Sequence, residues 1–381
     1  MRRLNGARVG AVVLATGVAG AIVAGTGAPA LAATATRVPV DAGTTGAIGG
    51  VDAVSPTDGW AVGSTGTDAV IRRFDGTRWR VVPSPSLAEP SAPSGGTGLS
   101  AVDALSPTAA FAVGTRFGNG NAAVAVRWNG SAWSRSTVGP TTFTNSRLVA
   151  VKAFSTTDAW AVGSQASTTT DHTLAMHFNG TSWTEVAVPS PGTRNSFLTS
   201  VSGVAPNDVW AVGYTQNLPY GNRIRLPLIL HWDGATWSQV AAPTVPASTS
   251  VFVYGVAAVS ASDAWAVGWT SSASGSAYVA HWNGGAWSTV PAPAMSSLTA
   301  VAARSPSDVW VAGFDPAGRS AVAHWNGVAW TITAITVTGG PGLPSLAAIA
   351  AAAANTAWAV GSQSDPTTGQ FAPLAFRVTA A

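Results

Sequence analysis

Four histidines occupy one repeated position in this 381-residue chain, each just before a Trp or Phe that is followed by Asn-Gly or Asp-Gly. Imidazole nitrogens are common metal ligands, so a repeated histidine invites a metal-site interpretation. Side chains one repeat apart lie far from one another, however, and cannot share one ion. We therefore expect a structural role for them. They are His177, His231, His281 and His324.

Aspartates recur two residues before a repeated Trp, and a short carboxylate there can accept backbone N–H groups of a turn. They are Asp58, Asp158, Asp208, Asp263 and Asp308. Few other groups could catalyse: Glu89 and Glu185 are the only glutamates, Lys152 is the only lysine, and cysteine is absent. Glycoside hydrolysis uses two carboxylates across one bond, and no such pair is evident. We assign no catalytic residue, no metal ligand and no cofactor.

Aromatic residues give the strongest binding signal. The position after the Gly of the phrase Trp-Ala-Val-Gly is aromatic in three consecutive repeats and Ser or Thr in four others. Flat rings suit sugar faces or a peptide, and neighbouring polar loops can supply hydrogen bonds. We predict an arc of rings with charged neighbours; in the alternative interpretation, the rings only extend the packing between repeats. The predicted site contains Tyr214, Tyr220, Arg223, Arg225, Trp269, Phe314 and Arg319.

The elements that position these residues follow from the repeated phrase, which occurs seven times at steps of 45 to 55 residues. It is centred on Trp60, Phe111, Trp160, Trp210, Trp265, Trp310 and Trp358. Repeats of ~40–50 residues with four short strands are typical of β-propeller blades. Six repeats also contain Asn-Gly or Asp-Gly between apolar runs, which predicts a hairpin with a type I′ turn between the third and fourth strands. The Trp pairs that flank this turn are predicted to fill the wedge between adjacent blades.

The predicted fold class is all-β: a seven-bladed β-propeller with four-stranded blades. Residues 33–48 form a closing strand and linker, and residues 49–381 form the seven repeats. The seventh repeat stops before a fourth strand, and residues 36–42 resemble the fourth strands of other repeats. We therefore expect this stretch to pair as the outer strand of the last blade. Because function on a rigid scaffold is usually carried by variable loops, the face with the second-to-third loops is the predicted binding face.

The phrases "AWAVG" and "HWNGGAW" carry a family resemblance. The chain resembles the secreted kelch-like and tectonin-like β-propellers common in actinobacterial proteins, over about 345 of its 381 residues. The kelch double glycine is a single Gly here. The resemblance implies a propeller fold, but an activity does not follow from a shared fold.

The N-terminus has the regions of a secretory signal peptide: Arg2, Arg3 and Arg8, an apolar stretch and then small residues. We predict a leader over residues 1–32 with cleavage after Ala32, exported by the general or the twin-arginine route. The mature chain keeps 16 of 19 basic residues against 16 acidic ones, so it is formally neutral. Neutrality argues against a nucleic-acid partner, and no later segment has the ~20 apolar residues of a membrane span.

These observations favour a secreted, extracellular, monomeric binding module for glycan or extracellular protein ligands. The alternative is an extracellular polysaccharide-degrading enzyme, a lyase or hydrolase, with its site in the central depression. A purely structural surface protein is a third interpretation.

Overall fold

A computed structural model describes residues 33–41, 45–87, 95–118, 120–192, 195–216, 224–246, 248–271, 275–337, 344–365 and 367–380. Within these ranges every regular element is a β-strand, and 28 strands follow one another along the chain. No helix in the described ranges is long and apolar enough to span a membrane. The predicted leader, residues 1–32, lies outside the described residues.

The strands are numbered in chain order, and β1 (Thr34–Arg37) precedes the repeats. The first repeat contains β2 (Ala47–Ser55), β3 (Asp58–Ser64), β4 (Ala69–Phe74) and β5 (Trp79–Val82). The second contains β6 (Thr97–Ser106), β7 (Ala109–Arg116), β8 (Ala122–Trp128) and β9 (Trp133–Val138). The third contains β10 (Asn145–Ser155), β11 (Asp158–Ala166), β12 (Asp171–Phe178) and β13 (Ser182–Glu185).

The later repeats follow the same plan. The fourth contains β14 (Asn195–Ala205), β15 (Asp208–Gln216), β16 (Arg225–Trp232) and β17 (Trp237–Gln239). The fifth contains β18 (Val251–Ser260), β19 (Asp263–Thr270), β20 (Ser276–Trp282) and β21 (Trp287–Thr289). The sixth contains β22 (Ser297–Ser305), β23 (Asp308–Phe314), β24 (Ser320–Trp325) and β25 (Trp330–Ala334). The seventh contains β26 (Pro344–Ala353), β27 (Thr356–Ser364) and β28 (Phe371–Thr379).

The described strands form six sheets, so the prediction of seven separate four-stranded blades is wrong. Five sheets have four strands, and one has eight strands in the order β10-β11-β12-β13-β9-β8-β7-β6. The eight-stranded sheet combines the strands of the second and third repeats, because their outer strands β13 and β9 pair in parallel. All other paired strands are antiparallel. Each of these pairs lies within one repeat, except that β1 pairs with β28 of the seventh repeat.

The merger of two repeats depends on the length of one outer strand. Strand β9 has six residues, whereas the other fourth strands have three to five. Its last residues reach the edge of β13, where Ser182 lies opposite Thr137, and the Gly139 amide donates to the Trp183 carbonyl at 2.8 Å. A Cβ at Gly139 would lie 2.9 Å from that oxygen, so the approach requires glycine. Exposed strand edges pair readily when a neighbour comes within reach.

The N-terminal segment forms the outer strand of the last sheet, as predicted, but the paired strand does not span the predicted residues 36–42. Strand β1 lies earlier, at Thr34–Arg37, and pairs antiparallel with β28, with Arg37 opposite Phe376. The chain then crosses to the first repeat: Val40 forms a parallel bridge with Trp79, and the Asp41 amide donates to the Trp79 carbonyl at 2.9 Å. The segment therefore joins the last repeat to the first and belongs to both. Residues 42–44 lie outside the described residues.

The predicted Trp wedges are confirmed. Each apolar cluster combines residues of consecutive repeats, and one cluster joins the seventh repeat to the first through Trp358, Phe74 and Trp79. Between the first and second repeats, Trp60 contacts Trp128 and Trp133 with ring centroids 4.9 Å and 5.0 Å apart. Because neither sheet can bury this aromatic surface alone, adjacent repeats stabilise each other.

Strand order defines two faces of the ring of repeats. The first-to-second and third-to-fourth turns lie on the turn face, and the second-to-third loops lie on the opposite, loop face. The hairpins at Asn-Gly and Asp-Gly are present, but they are not type I′ turns. Only the glycines have positive φ, at 91° to 96°, in Gly76, Gly130, Gly180, Gly234, Gly284 and Gly327. The preceding side chain caps the loop instead, as Asn129 Oδ1 accepts the Ser131 and Ala132 amides at 3.0 Å and 2.9 Å.

A β-bulge in the first strand of every repeat shapes the central cavity. The bulged residue is flanked by pairs whose register shifts, such as Val253 and Gly255 on either side of Tyr254. The bulge brings the first strand close to the second strand of the same repeat. In the fifth repeat a Cβ on Gly268 would overlap the Phe252 carbonyl, which explains the Gly of the repeated phrase. All seven bulged residues line the cavity: Gly49, Ser100, Val149, Thr199, Tyr254, Thr299 and Ala347.

Candidate ligand-binding site

Two adjacent repeats present aromatic cross-strand pairs at the loop face. Phe197 of β14 lies opposite Tyr214 of β15, and Phe252 of β18 lies opposite Trp269 of β19. Directly opposed residues on one face of an antiparallel pair are in side-chain contact. At the equivalent positions the sixth repeat pairs Ser297 with Phe314, so the aromatic pairing does not extend there.

Tyr254 adds a fifth ring from the bulge of β18. The other bulged residues at the cavity wall are Gly, Ser, Val, Thr or Ala, so Tyr254 is the one aromatic among the seven. Its hydroxyl accepts the Trp269 Nε1–H at 3.2 Å. The cluster therefore extends from the loop face to the wall of the central cavity.

The five rings form one continuous surface. Trp269 stacks on Phe252 at 4.7 Å with planes inclined by 5°, and Tyr214 meets Phe252 edge-to-face at 5.2 Å. Phe197 lies 5.3 Å from Tyr214, and Tyr254 lies 6.2 Å from Phe252. All five are half-buried. We call Phe197, Tyr214, Phe252, Tyr254 and Trp269 the aromatic cluster.

One cation completes the cluster. The Arg225 guanidinium lies over the Phe252 ring, 4.8 Å from its centroid, and its backbone N–H donates to Ser250 Oγ at 3.0 Å. Burial raises the pKa of the Tyr214 phenol, a nearby Tyr254 adds to the effect, and Arg225 opposes it. Tyr214 therefore stays protonated at neutral pH and can both donate and accept a hydrogen bond.

Three of the seven predicted residues belong to this cluster or its edge: Tyr214, Trp269 and Arg225. Phe314 lies across from Ser297 and Ser320 in the sixth repeat. Arg319 binds within its own turn, where its Nη2 lies 2.7 Å from Asp315 Oδ2. Tyr220 and Arg223 lie outside the described residues. The structure thus brings together part of the predicted arc and leaves its sixth-repeat end apart.

Sequence reasoning missed Phe197, Phe252 and Tyr254. The first two were detectable, because each lies at the start of a first strand, opposite an aromatic residue already singled out. Tyr254 was not, because the bulge shifts the alternation of the strand by one residue and turns its side chain toward the cavity.

The central cavity, of about 390 Å³, contains a charged group that the sequence analysis also missed. Asp52, Asp103 and Lys152 occupy the same first-strand position in three consecutive repeats, each opposite Trp or Phe of the second strand. Lys152 Nζ lies 3.1 Å from Asp103 Oδ1. The equivalent residues of the fourth to seventh repeats are Ser202, Ala257, Ala302 and Ala350.

These carboxylates connect one repeat to the next. Asp52 Oδ2 accepts the Ala104 amide at 2.7 Å, and Asp103 Oδ2 accepts the Ala153 amide at 2.8 Å. Burial, and then the nearby Asp103, raise the pKa of Asp52 to about 7. Burial opposes the charged form of Lys152, but Asp103 and Asp52 outweigh it and raise the Lys152 pKa.

The repeated histidines and aspartates bind one another. His177 Nε2 lies 3.0 Å from Asp158 Oδ1, and His231 Nε2 lies 2.8 Å from Asp208 Oδ1. The fifth and sixth repeats have the same pair, and Arg73 replaces the histidine beside Asp58 in the first. Each pair ties the second strand to the third near the turn face. Among the described residues, no three His, Asp or Glu side chains are grouped to hold a metal ion.

Comparison with known proteins establishes the fold. No family model and no curated protein matches the sequence. The solved structure of YCF48 bound to D1 peptide is 15% identical, with 92% of this chain and 95% of that chain covered and a TM-score of 0.56. A protein of unknown function from Dyadobacter fermentans is 10% identical, with 91% and 98% covered and a TM-score of 0.51. The chain is a β-propeller.

A third similar structure is a mutant Aleuria aurantia lectin in complex with Fucα1-6GlcNAc. It is 14% identical, with 78% of this chain and 97% of the lectin covered and a TM-score of 0.50. At such identities the similarity establishes the propeller fold, and the ligand must be argued from the site itself.

Proposed function

We propose that this propeller is a secreted glycan-binding module whose ligand lies on the aromatic cluster. The observation that carries the proposal is the Trp269–Phe252 stack with Tyr214 edge-on beside it. A sugar ring presents an apolar face of C–H groups, and a fixed indole offers a flat surface to receive it. Because the rings are held by one another, little side-chain entropy is lost when a ligand binds.

Polar groups around the rings would select among sugars. The Arg225 guanidinium can donate to ring or hydroxyl oxygens, and the protonated Tyr214 hydroxyl can donate or accept. Sites of this composition, apolar with a few directed polar groups, are typical of small-ligand binding. A glycan partner is also compatible with the fold, because one similar structure is a lectin in complex with Fucα1-6GlcNAc.

A protein partner is the second choice for the same surface. One similar structure is that of YCF48 bound to D1 peptide. Aromatic residues and arginine are also enriched at protein interfaces. The purely structural interpretation predicts neither ligand. The kelch-like or tectonin-like type of the repeats stays a prediction from the sequence.

Secretion is part of the proposal and rests on residues 1–32. The mature chain should be recovered from culture medium as a monomer that begins at residue 33. Intact-mass measurement and size-exclusion chromatography with light scattering test both statements. A chain that keeps its first 32 residues, or a stable dimer, would contradict them.

The binding proposal is tested with residues 33–381 on a glycan array and on insoluble wall polysaccharides. Trp269→Ser introduces the residue found at this position in other repeats, so it should fold. We expect it to lower affinity about tenfold, as loss of a stacked aromatic contact does. Phe314→Ser is the matched control at the same position of the next repeat, outside the cluster, and should bind like the parent.

Two results would contradict the glycan proposal. Equal binding by the parent and Trp269→Ser would place the ligand elsewhere, and no binding by the folded parent would leave the protein partner as the better choice. Capture of a peptide ligand that Trp269→Ser abolishes would support that second choice.

One observation favours the enzyme alternative, in which the site lies in the central depression. Asp52, with its pKa raised to about 7, stands near Asp103 in the cavity wall. A carboxyl group with a pKa near neutral pH can take up or release a proton in acid–base catalysis. Incubation with a polysaccharide panel tests this candidate: new reducing ends or unsaturated products that Asp52→Asn abolishes would favour it over the binding module.

A further inference from the structure

A second cavity opens on the turn face, between the fifth and sixth repeats. It has a volume of about 330 Å³ and is lined by Trp265, Trp325 and Trp330 with Asp263, His281 and Pro291 among their neighbours. The aromatic cluster lies on the loop face, at the other end of the same strands. We call this cavity the tryptophan pocket.

The pocket exists because one wedge is wider than its equivalents. Trp265 lies 6.1 Å from Trp325 of the next repeat. The equivalent ring separations are 4.9 Å for Trp60–Trp128, 4.8 Å for Trp160–Trp232 and 5.0 Å for Trp210–Trp282. Trp265 also lies 6.3 Å from Trp330, the longest of the equivalent fourth-strand separations. Three of the others are 5.0 to 5.2 Å, Trp358–Trp79 is 5.8 Å and Phe111–Trp183 is 6.0 Å.

Trp330 is held away from the wedge that its counterparts fill. Trp133, Trp237 and Trp287 are only 5–6% exposed, whereas Trp330 is half-buried. Its Nε1–H donates to the Pro291 carbonyl at 3.0 Å. This hydrogen bond fixes the indole in its outward position, so the opening is a defined feature of the fifth–sixth interface.

A carboxylate lies in the wall of the pocket. Asp263 Oδ1 accepts the Trp265 Nε1–H at 3.0 Å, and Asp263 Oδ2 lies 3.1 Å from His281 Nε2. The Asp263 side chain is 13% exposed. The pocket therefore joins three indole rings to a negative charge, with few groups free to hydrogen-bond a ligand.

We propose that the tryptophan pocket binds a methylated ammonium group, such as the trimethylammonium end of a choline-type ligand. Aromatic faces attract a cation, and Trp does so best among the aromatic residues. A quaternary ammonium has no N–H groups to satisfy, so it suits a pocket with few hydrogen-bond acceptors. Asp263 supplies the opposite charge. A neutral sugar would instead require several hydrogen-bonding groups around the rings.

Choline and its neutral isostere 3,3-dimethyl-1-butanol distinguish charge from shape. We expect residues 33–381 to bind choline in calorimetric titration at pH 8, and the isostere about tenfold more weakly or not at all, since cation–π attraction is lost. Trp330→Ala should reduce choline affinity about tenfold, and Trp330→Phe less. Asp263→Asn should also weaken binding.

Asp208→Asn is the matched control, because Asp208 makes the same histidine contact in the fourth repeat, where the wedge is closed. It should bind choline like the parent. Equal affinity for choline and the isostere would overturn the proposal in favour of an apolar pocket. No choline binding by the folded parent would overturn it, as would unchanged binding by Trp330→Phe and Trp330→Ala. The glycan-array result with Trp269→Ser is independent of all three outcomes.

Discussion

The Trp269 indole lies flat on the Phe252 ring, with centroids 4.7 Å apart and planes inclined by 5°. The two residues are directly opposed on β18 and β19, and the Tyr254 hydroxyl accepts the indole N–H at 3.2 Å. The backbone pairing sets the position of the indole, and the hydrogen bond sets its rotation. The surface offered to a ligand is therefore organised before the ligand arrives.

Tyr254→Thr separates the architectural role of the bulge from ligand binding. Thr occupies this position in the fourth and sixth repeats, where Thr199 and Thr299 hydroxyls donate to neighbouring carbonyls at 2.8 Å and 3.2 Å. We expect the free energy of unfolding to change by less than about 1 kcal/mol, while glycan affinity falls about tenfold. Denaturant titration and the glycan assay measure the two quantities. A large stability loss with unchanged affinity would assign Tyr254 to the core instead.

Asp52→Asn should change how stability depends on pH. The pKa of Asp52 is raised to about 7 from an ordinary 3.8. Between pH 3.8 and about pH 7, Asp52 keeps its proton in the folded chain but has released it in the unfolded chain. The contribution of Asp52 to stability is therefore complete below about pH 4 and is lost as pH rises through about 7.

Asparagine retains an oxygen for the Ala104 amide but does not titrate. Relative to the parent, Asp52→Asn should gain roughly 4 kcal/mol of unfolding free energy between pH 4 and pH 8. Urea titrations of both proteins at several pH values measure the difference. Parallel stability curves for parent and variant across this range would disprove the assignment.

Gly139→Ala should weaken the joint between the second and third repeats. An added Cβ would lie 2.9 Å from the Trp183 carbonyl, which accepts the Gly139 amide. We expect faster hydrogen exchange of the amide at position 139 and a stability loss of about 1–2 kcal/mol. Gly285→Ala is the control, because a Cβ there meets only the Asn283 side chain, at 3.7 Å. Slow exchange retained in Gly139→Ala would show that the joint tolerates the methyl group.

A chain that begins at residue 45 should be less stable than one that begins at residue 33. It lacks β1, which pairs with β28, and it lacks Val38, which is 8% exposed in the seventh–first cluster. The expected loss is on the order of 3 kcal/mol, from lost apolar burial and unpaired strand edges. Val38→Ser in the longer chain should lose about half as much. Equal unfolding midpoints for the two chain lengths would refute a closing role for the segment.

Much of the fold was predictable because each repeat has the same local requirement: one apolar face must be buried against the next repeat. The Trp of the repeated phrase recurs because every repeat must bury an aromatic side chain against its neighbour at the same position. Asn-Gly and Asp-Gly placed the third-to-fourth hairpins correctly. The turn type was wrong because the Asn129 side chain caps the loop amides, an interaction that makes positive φ unnecessary at the first residue.

The candidate site was predictable only where the repeat alignment itself showed a contrast. Tyr214 and Trp269 stood out against Ser and Thr at the same position. Phe252 could have been added from strand pairing, but Tyr254 depends on a bulge whose place is set by the close approach of two backbones. Asp52, Asp103 and Lys152 looked unrelated in sequence and meet because the ring brings one position of successive repeats to the same wall.

The sequence by itself determined the repeat, its four strands and the residues that pack between repeats, because these follow from local periodicity and local burial. The tertiary structure alone decided that the strands form six sheets, since the β9–β13 pairing depends on how near two edges lie. It also decided the register of the N-terminal segment and the width of the wedge at Trp265. Such features depend on distances between residues far apart in the chain, which no local pattern records.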